Sequence, residues 1–251
     1  MNEADDILID RLAVRAWPAM VVRETRGWLL RATPGVSRRR SNSAVPPEHG
    51  ALDGLADVEA FYAERNQPAL IQVSPGHRLR MLDGHLAARG FERVAPSLVM
   101  WTPLDRMAEG IHGAGKMTSW RVDLAQRDDE WTRTLQAVDG RVDDAGEMVM
   151  DRIPGRTVFA RVADGGTVAG VGAGVVDGGW LGIFCMGTRP EYRRSGVGTA
   201  ILDSLRVWAL RKDVRHAWLQ VEERNLHARA LYEAHGFAVS HAYHYRQLPH
   251  A

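Results

Sequence analysis

The chain has 251 residues, 45% of them hydrophobic and 25% charged, which is enough for one large globular unit or two smaller ones. Thirty-two basic residues stand against 31 acidic ones, a formal net charge of +1, so there is no electrostatic case for nucleic acid or an anionic membrane surface. Cys185 is the one cysteine and excludes an intrachain disulfide. The acidic opening Met1-Asn2-Glu3-Ala4-Asp5-Asp6 is unlike a secretory signal, and no apolar run reaches membrane-spanning length; a cytoplasmic protein is expected.

Residues 4–17 carry apolar positions at helical spacing (Ile7, Leu8, Leu12, Val14, Trp17). Strand-like runs follow at 28–32 and 39–45, and Pro46-Pro47 interrupts the pattern. Residues 52–65 read as a helix, 69–74 as a strand and 79–89 as a helix stopped by Gly90. Residues 91–101 read as strand. The stretch 105–116, with Gly110, Gly113 and Gly115 and few apolar residues, is expected to be a linker. Strand, helix and strand signals then resume. The run 120–125 is a strand and 128–138 and 146–153 are helices. Residues 156–162 and 168–176 form a hairpin turning at Asp164-Gly165-Gly166. After them come strand 181–188, helix 198–212, strand 217–222, helix 226–235 ended by Gly236, and strand 237–245. Alternation of this kind places the chain in the α/β class.

A weak internal repeat underlies this order. Ala69-Leu70-Ile71-Gln72-Val73 parallels Ala217-Trp218-Leu219-Gln220-Val221. Leu86-Ala87-Ala88-Arg89-Gly90-Phe91 parallels Tyr232-Glu233-Ala234-His235-Gly236-Phe237. Both halves run strand, helix, Gly-Phe, strand.

Arg193-Arg194-Ser195-Gly196-Val197-Gly198 lies between the strand 181–188 and the helix 198–212. Its glycines permit a tight backbone and close approach of a ligand, and the helix start offers free N–H groups and the positive end of a dipole. The arginines add charge suited to phosphate. No Gly-Lys-Ser/Thr follows, so it is not a nucleotide-triphosphate loop, and Pro190 and the count of glycines argue against a dinucleotide fingerprint.

In context, the segment from Met186 through Pro190 to Leu202 resembles the pyrophosphate-binding motif, Gln/Arg-x-x-Gly-x-Gly/Ala, of the GNAT superfamily of acyl-CoA N-acyltransferases. Asn225-Leu226-His227-Ala228-Arg229-Ala230-Leu231-Tyr232-Glu233-Ala234-His235-Gly236-Phe237 resembles its second signature, Asn-x-x-Ala-x-x-Leu-Tyr-x-x-x-Gly-Phe. The resemblance covers residues 117–251. It implies a mixed α/β sheet flanked by helices, here in two tandem copies. The expected organisation is a degenerate GNAT-like unit over 1–104, a linker over 105–116 and a catalytic unit over 117–251.

The resemblance also implies an acetyl-CoA-dependent N-acetyltransferase acting on a primary amine of a small molecule or peptide, by direct transfer and without a metal. The backbone of Met186, Gly187 and Thr188 would pair with the pantetheine arm, and Arg193, Arg194, Ser195, Gly196, Val197, Gly198 and Thr199 would cradle the pyrophosphate. Asn225 would contact the arm, and Tyr232 would protonate the leaving thiolate. The strand 181–188 has no carboxylate to accept the amine's proton. Glu222 is the leading candidate, with Glu223, the less favoured Asp177 and a water chain as alternatives. A non-catalytic acyl-CoA sensor is the competing reading. Cys185 is expected to be an inert strand residue rather than a nucleophile, and His235, His241, His244 and His250 to be surface or substrate-lining residues rather than metal ligands.

The first half has Val45-Pro46-Pro47-Glu48-His49-Gly50-Ala51 where the cradle would stand and Leu86 at the tyrosine position, resembling the degenerate half of mycothiol synthase-like tandem proteins. Its Arg38-Arg39-Arg40-Ser41-Asn42-Ser43 run fits either an acceptor groove or a charged sheet edge. A monomer or a homodimer is compatible with two fused copies.

Overall fold

A computed structural model of the chain describes residues 3–74, 79–107, 120–139, 149–153 and 156–249. Most of the proposed linker, and residues 146–148 of the expected helix, lie outside these. The described helices are α1 (Glu3–Ala16), α2 (Leu55–Ala63), α3 (Arg80–Ala88), α4 (Asp129–Val138), α5 (Val197–Leu210) and α6 (Leu226–Ala234). The strands are β1 (Val21–Thr25), β2 (Trp28–Ala32), β3 (Leu70–Val73), β4 (Glu92–Pro103), β5 (Val122–Ala125), β6 (Arg156–Asp164), β7 (Thr167–Asp177), β8 (Trp180–Thr188), β9 (His216–Glu222) and β10 (Ala238–Gln247).

Eight strands form one mixed sheet in the order β3-β10-β4-β9-β8-β7-β6-β5, and β1 and β2 form a separate hairpin. All neighbours in the large sheet are antiparallel except β8 and β9, which are parallel. One face packs against α1 and α4 through Ile9, Leu12, Trp131 and Leu135. The other packs against α5 and α6 through Ile201, Leu205 and Tyr232. The helical spacing of Ile9, Leu12, Ala13 and Ala16 makes one buried stripe of α1. Asp128 caps α4 by accepting from the Trp131 N–H at 2.8 Å.

One expected strand is absent, and one strand, β1, was not expected. Residues 39–45 are not a strand: Arg39–Ser41 is a 3-10 turn. The Asn42 side chain holds it by donating to the Val36 and Arg38 carbonyls and accepting from the Thr33 N–H. Such side-chain bonds offer the backbone an alternative to a ladder. The hairpin strand β1 gave no alternating signal because its central residues are solvent-exposed.

The repeated segments occupy matching places. β3, α3, Phe91 and β4 in the first half correspond to β9, α6, Phe237 and β10 in the second. Both helices end in the same backbone bond: the Phe91 N–H donates to Leu86 O and the Phe237 N–H to Tyr232 O, each at 3.0 Å. The final strands are exchanged. β4 lies between β9 and β10, and β10 lies between β3 and β4. Each half's last strand is therefore bonded to the other half's preceding strand.

Candidate active site

β8 and β9 run in register from Trp180–His216 to Ile183–Leu219, and there the pairing stops. β8 continues to Thr188 and β9 to Glu222, so the strands diverge and leave residues 184–188 unpaired on that edge. A bulge in β8 marks the same place. Phe184 faces Ala173 and Gly187 faces Val171, so Cys185 and Met186 together oppose Gly172. Cys185 adopts φ +53°, a conformation that costs a non-glycine residue about 1–2 kcal/mol and that tends to be kept where function needs it.

The divergence opens a cavity of about 230 Å³ that passes between the strands. On the α5/α6 side it is lined by Asn225, Ala228 and Tyr232. On the α1/α4 side it is lined by Phe184, Gln220, Tyr243, Tyr245 and Asp139, with Arg38, Arg39 and Arg40 from the first half. Of the residues singled out by sequence, Met186, Glu222, Asn225 and Tyr232 meet here.

Tyr232 is 7% exposed. Burial pushes its phenol up to about 12, against a smaller opposing pull from Arg40, so the hydroxyl stays protonated at neutral pH. Asn225 caps α6, its Oδ1 accepting from the Ala228 N–H at 3.1 Å. Glu222 lies at the rim and accepts from Arg224 Nε at 2.8 Å. Burial raises the Cys185 thiol above its ordinary value, although Arg38 and Arg40 pull the other way; the nucleophilic thiolate is disfavoured.

Residues 193–199 stand outside the cavity, at the start of α5. Gly196 precedes that helix at φ +90°, where no side chain caps the free N–H groups and no acid sits in the first turn. Arg193, Arg194 and Ser195 are exposed. The loop is braced from below: Ser195 Oγ donates to Tyr192 O at 2.6 Å, and Trp120 Nε1 donates to Ser195 O at 2.8 Å. A Cβ on Gly198 would lie 3.0 Å from Leu231 Cδ2, so the loop abuts the helix that carries Tyr232. Gly187 is needed for packing, since a Cβ there would fall 2.3 Å from Val138 Cγ2.

The equivalent opening in the first half is closed. β2 and β3 hold the places of β8 and β9, and residues 44 and 45 run between them. Leu29 and Val45 exchange backbone bonds at 3.0 and 2.9 Å. The Ala44 N–H donates to Leu70 O at 2.8 Å, and its carbonyl accepts from the Gln72 N–H at 2.9 Å. The chain itself fills the gap.

The histidines also depart from expectation. His235 and His244 are buried, at 0% and 2% exposure. His244 pairs with Asp83 at 2.8 Å, and His241 lies between Asp6 and Asp10 of α1. Among the described residues no group of three or more His, Cys, Asp or Glu could hold a metal ion.

The family model described as "Probable histone acetyltransferase Rv0428c C-terminal" matches residues 7–246. The chain belongs to this family of GNAT N-acetyltransferases. The uncharacterized N-acetyltransferase YobR of Bacillus subtilis (strain 168) is 26% identical to it over 244 residues, covering 96% of this chain and 98% of that protein. Among solved structures, a GCN5-related N-acetyltransferase from Kribbella flavida matches with a TM-score of 0.70 at 15% identity, over 100% of this chain and 97% of the other. A tandem GNAT protein from the clavulanic acid biosynthesis pathway matches with a TM-score of 0.63 at 13% identity, over 99% and 97%. These likenesses establish the GNAT fold of this N-acetyltransferase.

The arginine run and the tyrosine pair are the part of the cleft that sequence reading resolved least. Residues 38–43 allowed a groove or a sheet edge, and the structure places Arg38 and Arg40 in the cleft wall. Tyr243 and Tyr245 alternate on one face of β10, a Tyr-x-Tyr spacing that could have flagged them.

Proposed function

We propose that this N-acetyltransferase moves an acetyl group from acetyl-CoA to a primary amine of a small molecule or peptide, directly, in a ternary complex. The observation that carries this reading is the divergence of β8 from β9 beyond Ile183–Leu219, with a buried phenol at one side of the gap and open cleft at the other. The free backbone edge of Met186, Gly187 and Thr188 suits the amide-bearing arm of coenzyme A, which would pair there as an added strand. The uncapped start of α5, with Arg193, Arg194 and Ser195 through Thr199, suits its pyrophosphate. The chemistry resides in residues 117–251, and residues 1–104 contribute a wall of the cleft.

The neutral amine attacks the thioester carbonyl, an N–C bond forms, and the C–S bond breaks. A backbone N–H on the diverging edge of β8 stabilises the charge that develops on oxygen. Tyr232 gives its proton to the departing sulfur. An alkylamine is mostly protonated at neutral pH, with an ordinary pKa of about 10, and its proton leaves toward Glu222 directly or through water. The raised Cys185 thiol favours direct transfer over an acyl-cysteine route.

The phenol within the cleft also favours catalysis over a sensor, because a protein that only binds has no use for a proton donor at the thioester. The test is CoA release from acetyl-CoA across a broad panel of amines, with mass-spectrometric detection of the acetylated product. Turnover above background on at least one amine is expected. Acetyl-CoA binding with no turnover on any amine would leave the sensor reading.

A further inference from the structure

Arg40 is a partly buried guanidinium in the cleft wall, and among the described residues no carboxylate is paired with it. Its Nη2 donates to the Gln220 carbonyl at a long 3.4 Å, and its other polar neighbours are the hydroxyls of Tyr243, Tyr245 and Tyr232 and the Cys185 thiol. The two carboxylates that line the cavity are engaged elsewhere. Asp139 takes Arg38 at 2.7 Å, and Glu222 takes Arg224 at 2.8 Å. A cation withdrawn from water with no counter-charge is costly unless an anion joins it.

Strand alternation fixes where that anion would sit. Tyr243 and Tyr245, whose hydroxyls neighbour Arg40, lie on the α1/α4 side of the sheet. The uncapped start of α5 is on the opposite face. Arg40 therefore does not meet the pyrophosphate; it faces the side from which the acceptor enters. Resting on the acetyltransferase reading above, we propose that Arg40 binds a carboxylate on the acceptor, so that the acetylated amine belongs to a molecule of the amino-acid class. The planar fork of a guanidinium matches a carboxylate in two parallel hydrogen bonds, and the Tyr243 hydroxyl beside it can donate a further one. The small cavity, about 230 Å³, suits a compact acceptor. A lysine-rich peptide would bring positive charge to a wall that already holds Arg38, Arg39 and Arg40.

The experiment uses the full chain with acetyl-CoA. It compares kcat/KM for a panel of L- and ω-amino acids with that of their carboxamides, alongside phosphoethanolamine and a lysine-rich peptide. A charge-assisted contact is worth roughly tenfold to a hundredfold, so the best acid should exceed its own carboxamide by at least about tenfold. In Arg40→Gln the acid and its carboxamide should fall within about twofold of each other, mainly through a higher KM for the acid, and Arg40→Lys should restore part of the difference. Unchanged acetyl-CoA affinity in the variants reports an intact fold. Should a variant misfold, the wild-type comparison of acid and carboxamide still decides. Equal use of acid and carboxamide by the wild type overturns the proposal, as does preference for phosphoethanolamine or the lysine-rich peptide. If acetyl-CoA binds but no amine turns over, the acetyltransferase reading fails separately. Calorimetric titration of the CoA-bound protein with N-acetyl amino acids and their carboxamides then tests Arg40: binding of the acids alone supports it, and equal binding or none refutes it.

Discussion

Arg38 donates to Asp139 at 2.7 Å, with both side chains largely out of solvent at 17% and 23% exposure. The pair ties the 3-10 turn of the first half to the end of α4 in the second, and the Arg38 guanidinium also lies 5.3 Å from the Trp17 ring centre. The pair lies in the cleft wall on the α1/α4 side of the sheet. Removing one partner leaves a poorly solvated charge behind. Arg38→Ala should therefore destabilise the chain by about 1–3 kcal/mol, between the exposed and fully buried limits. A double-mutant cycle with Asp139→Ala, measured by urea unfolding, should return a coupling of about 1 kcal/mol or more; additive losses would mean the contact is incidental.

Tyr232→Phe should lower kcat by about a hundredfold, the low end for a lost general acid, with acetyl-CoA affinity unchanged. The pH dependence follows from the raised phenol. The group acts when protonated, so its contribution is present below a pKa of about 12 and is lost only above it. The kcat profile should show no descending limb from this residue up to pH ~10. Equal losses in binding and turnover would assign Tyr232 to packing.

One molecule of acetyl-CoA should bind per chain in calorimetry, because residues 44 and 45 already bond to both Leu29 and Leu70 where a second arm would lie. Gly196→Trp should abolish that binding. The residue sits at φ +90°, where a side chain is strained, and the bulk of the indole would cover the free N–H groups. A stoichiometry of two, or wild-type affinity in the variant, would contradict this account of the cradle.

Neither half should fold independently. β4 has β9 and β10 as its partners, and β10 has β3 and β4, so separation strands a long unpaired edge in each fragment. Residues 117–251 expressed alone should lack a cooperative unfolding transition. Co-expression with residues 1–104 should restore it, and a cooperative isolated fragment would refute the point.

α1 should be anchored more firmly in acid than in alkali. Burial disfavours the charged form of His241, but Asp10 and Asp6 outweigh it and raise its pKa above the ordinary value. A raised folded-state pKa means the stabilisation is fully present below the unfolded value of about 6.5 and is lost as pH rises through the folded one. His241→Gln should lower Tm by about 2–4 °C at pH 6, and the gap should narrow by pH 9. A constant gap would remove the ionic contribution.

The sequence by itself determined a good deal. Most elements of the second half were legible because their signals are local: the Asp164-Gly165-Gly166 turn, apolar periodicity, and Gly236 after its helix. The two signatures around Gly196 and Tyr232 carried the family, since a backbone cradle and a helix end are set by short runs of residue types. The internal repeat was visible in Ile71-Gln72-Val73 against Leu219-Gln220-Val221. What only the tertiary structure decided is long-range. The exchange of β4 and β10 between halves depends on which strand edges meet, and alternation within each strand is the same whichever neighbour it takes. The closure of the first half's opening rests on backbone bonds of Ala44 and Val45, to which side-chain identity contributes little. The place of Arg40 in the cleft follows from the fold bringing residue 40 beside Gln220 and Tyr243, a proximity that no spacing along the chain encodes.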